Sequence, residues 1–122
     1  MIVNSGGENI APVPIENLLL SYDEIEQVMI YGHKRPFLVA IIIPNETLLN
    51  DNEHFLKENL QNILNNVNKD LSQTKKIRKF ISSNEVFSTD NGLLTPTLKI
   101  RRHVIATCYK DEINKLYNKS FF

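Results

Sequence analysis

Apolar residues recur along this chain with two different periods, and the switches between them lay out the elements. Ile25 to Tyr31 reads as a strand, Gly32-His33-Lys34-Arg35-Pro36 as a turn, and Phe37 to Ile43 as a second strand. The second run is apolar on both faces, the pattern of a central strand covered on both sides. The two make a hairpin whose loop is longer than the two-residue ideal, and Pro44-Asn45 stops it. Upstream, Pro14 suits the first turn of a short helix, where its missing N–H costs nothing. Ile15, Leu18 and Leu19 make the apolar face of that helix, and Ser21-Tyr22-Asp23 end it. Downstream, Leu56, Leu60, Ile63, Leu64, Val67 and Leu71 fall at helical spacing, which predicts one amphipathic helix over Asn52 to Leu71. Ile77 to Ile81 reads as a third strand after the basic cluster Lys75-Lys76-Arg78-Lys79, which reads as a solvated edge, since lysines commonly guard sheet edges, rather than as a phosphate contact. Ile100 to Tyr117 reads as a closing helix with Ile105, Tyr109, Ile113 and Leu116 on one face, and Lys119 to Phe122 as a fraying end. The predicted fold is α+β: a small sheet of about three strands including a β-hairpin, flanked by helices, with a C-terminal helix after a lysine loop.

That loop, Asn91 to Arg102, carries the most specific chemistry. Asn91-Gly92 marks a tight turn, because both residues tolerate positive φ. Pro96 fixes its own φ and pushes Thr95 towards extended geometry. In an extended segment Thr95, Thr97 and Lys99 share one face, with Leu94, Leu98 and Ile100 on the other. Such a strap is anchored by its apolar side and holds a flexible ammonium outward, suited to a phosphate or carboxylate. The same residues equally describe a polar loop with an ordinary surface lysine.

Gly92 to Arg102 closely resembles the Gly-Leu-Leu-Thr-Pro-Thr-Leu-Lys signature near the C-terminus of AMP-forming long-chain acyl-CoA synthetases, members of the adenylate-forming superfamily. The resemblance implies that Lys99 reaches the ATP α-phosphate and the substrate carboxylate during adenylation, with Thr95, Pro96 and Thr97 shaping its loop. A second stretch, Ser5-Gly6-Gly7-Glu8-Asn9-Ile10-Ala11-Pro12, resembles the family's glycine loop running into Asn-Ile-Ala-Pro and a helix. Taken alone, two glycines are a weak signal that merely lets a backbone approach a ligand closely. The resemblance implies that Gly6, Gly7 and Glu8 serve the CoA side, for thioester formation after a large domain rotation. Residues 68–80 also look like the corresponding family region. What is resembled is the small C-terminal lid domain, here filling residues 1–122. On that basis the large N-terminal core domain, which binds ATP, Mg²⁺ and the fatty acid, lies outside this sequence. By the same resemblance the family's hinge residue, just before the glycine loop, is expected to fall before Met1. The chain by itself is then expected to lack ligase activity and to bind no ATP, CoA or Mg²⁺ alone.

Composition narrows the alternatives. The 122 residues are 42% hydrophobic and 23% charged, ordinary for a globular chain, and the formal net charge is zero. A general electrostatic grip on nucleic acid is therefore not favoured, and no aromatic platform accompanies Lys75 to Lys79 or Arg101-Arg102. The balance conceals an asymmetry: residues 1–61 hold 3 basic and 9 acidic side chains, residues 62–122 hold 11 and 5. The basic half either faces a phosphate-bearing ligand or neutralises the acidic half across the fold. Arg101 and Arg102 at a helix start run against the dipole preference and slightly favour an anionic partner. Cys108 is the sole cysteine, which excludes a disulfide framework within one chain and suits a cytoplasmic setting; it reads as a buried packing residue. His54 with Glu53 or Glu58 falls far short of a metal-ligand set. No apolar run is long enough to cross a bilayer, and Met1-Ile2-Val3 lacks the features of a signal peptide. The alternative of another class is a non-catalytic binding or complementation module descended from such a lid.

Overall fold

The computed structural model describes residues 1–118. The predicted fraying of Lys119 to Phe122 lies outside the described residues. In chain order the elements are β1 (Ile2–Val3), β2 (Asn9–Ile10), α1 (Pro12–Leu20), β3 (Ile25–Tyr31), β4 (Leu38–Pro44), α2 (Glu46–Leu49), α3 (Glu53–Asn68), a 3₁₀ turn at Gln73–Lys75, β5 (Ile77–Ser82), α4 (Arg102–Cys108) and α5 (Lys110–Tyr117). β3, β4 and β5 form a mixed sheet with β4 in the middle, antiparallel to β3 and parallel to β5. β1 and β2 form a separate antiparallel hairpin, with Ile2 opposite Ile10.

Every residue of β4 is buried, as its two-faced apolar run requires. Leu38, Ala40 and Ile42 point into one core, built with Ile15 and Leu19 of α1 and Leu60, Ile63 and Leu64 of α3. Ile41 and Ile43 point into a second core with Phe87, Leu93, Ile105, Tyr109 and Ile113. The sheet is thus covered on both faces. α3 and α2 begin at Asn52 and Asn45, whose side chains accept the N–H groups of Phe55 and Leu48, satisfying donors that a helix start leaves free.

Four expectations need correction. The long amphipathic helix ends at Asn68 rather than Leu71, because the Asn68 side chain turns to bracket Ile77, accepting from its N–H and donating to its carbonyl. Leu18 is exposed, and the buried face of α1 instead includes Glu16. The closing helix starts at Arg102 and breaks at Tyr109, whose φ of −104° and ψ of 20° leave the helical region while its hydroxyl meets Ser83 at 2.8 Å. Cys108 is exposed: the stripe facing the sheet runs Ile105, Tyr109, Ile113, and position 108 lies beside it. Between β5 and α4 the irregular chain is pinned by Gln27, which donates to the Phe87 carbonyl (2.9 Å) and accepts from its N–H (2.7 Å).

Candidate functional site

Lys99 stands on a three-residue hairpin loop instead of an extended strap. Leu94 and Ile100 face each other across an antiparallel bridge. Above it, the N–H of Thr95 donates to the Lys99 carbonyl and that of Leu98 to the Thr95 carbonyl, both at 2.8 Å. Pro96 occupies the second position of the resulting turn, where its fixed φ is an advantage. Leu98 then takes φ +67°, the left-handed conformation that such loops usually give to glycine. The two-face division expected of the segment fails for that reason, and Leu98 is 69% exposed. The threonines stiffen the loop: Thr95 Oγ1 accepts from the Lys99 N–H and lies 3.1 Å from Thr97 Oγ1. Lys99 is exposed and joins no ion pair among the described residues. It borders a cavity of about 490 Å³ lined also by Val13, Glu16, Asn17, Leu20 and Arg102.

At the base of the hairpin the arginines part company. Arg101 is exposed and donates to the Gly92 carbonyl. Arg102, expected to favour an anionic partner, already has one: its guanidinium grips both carboxylate oxygens of Glu16 at 2.5 Å. Glu16 is 5% exposed and also accepts the backbone N–H of Ile30 (2.8 Å). Every acceptor of the buried carboxylate therefore faces a donor, the condition under which such burial is tolerable.

The glycine loop is the turn of the β1–β2 hairpin. Asn4 organises it: its side-chain oxygen accepts the N–H groups of Gly6 and Glu8, and its carbonyl accepts that of Gly7. Gly7 sits at φ +84°, which explains the residue choice, and an added Cβ there would meet nothing within 4 Å. Ser5 N–H is held by the Arg35 carbonyl (3.0 Å), and Glu8 accepts from Thr74 (2.8 Å). Gly6, Gly7 and Glu8 are exposed and do not line the cavity beside Lys99. The two predicted sites thus do not share that cavity.

Other candidates resolve quietly. Lys75, Arg78 and Lys79 are exposed around the edge strand β5. His54 meets Glu58 at 3.4 Å on the surface of α3, and no three His, Cys, Asp or Glu side chains come together among the described residues. No helix among them is long and apolar enough to cross a membrane. Glu16 escaped the sequence reading, although its place among Pro12, Ile15 and Leu19 on the buried face of α1 was a signal.

The described residues thus form an α+β domain with a small mixed sheet, a glycine hairpin, and a stiffly held lysine that joins no ion pair among them. Residues 1–121 match the family described as the AMP-binding enzyme C-terminal domain, and the chain belongs to that family. It is 38% identical over 120 residues to a chloroplastic long-chain-fatty-acid–[acyl-carrier-protein] ligase of Arabidopsis thaliana, a match covering 96% of this chain and 16% of that protein. It is 32% identical to the human long-chain-fatty-acid–CoA ligase 1, over 92% of this chain and 19% of the relative. The chain therefore spans about a fifth of the length of these relatives. Among solved structures, the adenylation domain of a carboxylate reductase from Mycobacterium chelonae superposes with a TM-score of 0.86 at 26% identity, covering 95% of this chain and 19% of that one. A Mycobacterium tuberculosis fatty acyl CoA synthetase shares the fold, with a TM-score of 0.63 at 22% identity over 92% of this chain and 19% of that one.

Proposed function

We propose that the chain is the C-terminal lid of an AMP-forming long-chain fatty acid ligase. The parent reaction has two steps. Fatty acid and ATP give acyl-adenylate and pyrophosphate; the CoA thiol then displaces AMP. In the first step Lys99 enters the nucleotide site of a large N-terminal core domain, and its ammonium neutralises charge developing between the carboxylate and the α-phosphate. Thr95, Pro96 and Thr97 hold its loop. In the second, the lid turns its other surface, and Gly6, Gly7 and Glu8 line the approach of the thiol. Two surfaces used in alternation demand a domain that moves, and such motions commonly gate turnover.

The observation that carries this reading is the state of Lys99: exposed, without an internal counter-charge among the described residues, on a loop tied by its own threonines. Such an ammonium is available to an external anion. Any Mg²⁺ accompanying ATP is assigned to the core domain. The relatives' names supply the long-chain carboxylate. They also favour a second acceptor beside CoA, since the 38% identical relative is named for a carrier protein.

The test is complementation in trans. The purified chain alone is expected to form no acyl-CoA. Mixed with a ligase core stripped of its own lid, it restores activity, and Lys99→Ala removes that restoration. Restoration indifferent to Lys99, or acyl-CoA formation by the chain alone, overturns the proposal. Running the assay with CoA and with a carrier protein bearing a thiol prosthetic arm separates the two acceptors.

A further inference from the structure

The pair of buried Glu16 and partly buried Arg102 has no part in the chemistry proposed for Lys99 or the glycine loop. A buried ion pair is weak evidence of stability, because apolar residues of similar volume often serve as well or better. What a bidentate guanidinium–carboxylate pair provides is direction: two parallel hydrogen bonds fix both planes. Three elements meet at this one. Glu16 comes from α1, Arg102 opens α4, and the Ile30 N–H belongs to β3. β3 is an edge strand, so that N–H points away from the sheet and would lack a partner without the carboxylate.

Arg102 stands three residues after Lys99, and both border the same cavity. Upstream the lysine hairpin is fastened through the Leu94–Ile100 bridge and the Arg101 N–H to the Leu93 carbonyl (2.9 Å). Downstream its exit is fastened by Arg102. The loop itself packs little: Pro96, Thr97, Leu98 and Lys99 are all exposed. Its direction relative to the domain is therefore set at its base.

We infer that Glu16 and Arg102 are positioning residues for Lys99: the pair aims the lysine hairpin and so serves adenylation, while leaving the glycine-hairpin half-reaction alone. The inference rests on the proposed role of Lys99. A misplacement of about 1 Å at a reacting group costs on the order of a hundredfold in rate, and that sets the scale. Arg102→Lys keeps the charge but loses the fork; Glu16→Gln keeps the shape and the acceptor for Ile30 but loses the charge.

The experiment measures the two half-reactions separately with the complemented core: fatty-acid-dependent ATP–pyrophosphate exchange, and thioester formation from preformed acyl-adenylate. Arg102→Lys and Glu16→Gln are each expected to lower kcat for exchange by roughly 10- to 100-fold, with KM for ATP and the second half-reaction unchanged. Equal loss in both half-reactions, or loss in neither, overturns the inference. Lys99→Ala is the control that separates the two ideas. If it leaves exchange intact, the role of Lys99 itself fails; if it abolishes exchange while the pair variants do not, only the positioning role fails. A second reading needs no activity. Backbone ¹⁵N order parameters at Thr97, Leu98 and Lys99 are expected to fall from about 0.85 to below about 0.6 in both variants, while β4 stays rigid. A hairpin equally ordered with and without the pair overturns the inference.

Discussion

The two hairpins of this domain solve the same problem in opposite ways. Each reverses the chain within a few residues, and each places one residue at positive φ, Gly7 at +84° and Leu98 at +67°. The glycine hairpin is tied by its backbone to the body of the fold: Ser5 to the Arg35 carbonyl, Lys34 to the Val3 carbonyl, with Glu8 on Thr74. At Gly7 its surface is bare main chain, open where a Cβ would otherwise stand. The lysine hairpin bonds to itself and to the loop beneath it, and projects side chains. On the proposed function, one is approached and the other reaches. A loop that must be approached needs a rigid rim and no side chain. A loop that must reach needs a firm base and can leave its tip bare.

The sharpest way to break this contrast is to remove each loop's working feature and ask which half-reaction suffers. With the complemented core, Lys99→Ala is expected to depress ATP–pyrophosphate exchange by about 10²- to 10³-fold, the scale of one electrostatic stabiliser lost. Thioester formation from preformed acyl-adenylate stays within a factor of about three. Gly7→Ala is expected to show the reverse preference. If both substitutions depress the same half-reaction, the division of labour is wrong.

Stability separates the loops next. Glu16→Ala leaves the Ile30 N–H without its acceptor and the partly buried Arg102 without its counter-charge. About 3 kcal/mol should be lost, read as a lower urea midpoint. Gly7→Ala meets no obstruction but must hold an L-residue in the left-handed region, costing about 1–2 kcal/mol. Lys99→Ala, on an exposed side chain, should leave the midpoint within about 0.5 kcal/mol. A large loss at Lys99 would mean that the ammonium has a structural duty.

Alkaline pH lowers the stability of the whole fold through Tyr117 and Tyr109, whose pKa values are both raised by burial. The Tyr117 hydroxyl donates to the Phe37 carbonyl at 2.7 Å, and its ring lies under the Arg35 guanidinium, 4.6 Å from the ring centroid. Burial raises its pKa above the ordinary tyrosine value, only partly countered by Arg35. The folded protein therefore keeps a proton that the unfolded chain releases near pH 10. Above that pH the unfolded state binds fewer protons, so stability is intact below about pH 10 and falls as the pH climbs further. Tyr117→Phe should cost about 1 kcal/mol at neutral pH and flatten the decline in urea midpoint between pH 9 and 11. Because the folded state keeps the Tyr117 proton over that range, the native Ile2 and Ile10 methyl resonances should stay put while the urea midpoint falls. An unchanged slope in the variant would show that another group controls the alkaline limb.

How much of this the sequence disclosed depends on whether the signal was local. β4 was legible because seven consecutive apolar residues have nowhere to go but the middle of a sheet. The lysine signature was legible as a string of residues, yet its shape was not. Pro96 pointed to a turn, but the left-handed position falls on Leu98, and without glycine or asparagine there the hairpin is hidden. The Glu16–Arg102 pair spans 86 residues; neither member says anything about the other until the fold joins them. Phe87 sits in a polar stretch without periodicity; its backbone is held by Gln27, 60 residues away, and its side chain packs into the second core. Cys108 was misjudged because residue type is a weaker guide to burial than position on a stripe, and Tyr109 interrupts the helix at that point.

The smallest expected effect probes the strained tip of the lysine hairpin. A non-glycine residue in the left-handed region costs about 1–2 kcal/mol, and Leu98, 69% exposed, recovers little of that by packing. Leu98→Gly releases the strain but gives the unfolded chain more freedom to lose, an opposing term of about 0.5–1 kcal/mol. The net should be a gain of about 0.5 kcal/mol, seen as a slightly higher urea midpoint. A structural leucine would have been replaced at a loss, so the sign of this small number decides the matter. If Leu98→Gly is stabilising and also slows ATP–pyrophosphate exchange, the strained leucine holds the loop in its reaching conformation, at a cost in stability that the glycine hairpin, with glycine already in place, does not carry. If it is stabilising and exchange is untouched, the threonines and the Arg102 anchor suffice to aim Lys99, and Leu98 is free to meet whatever surface the hairpin enters.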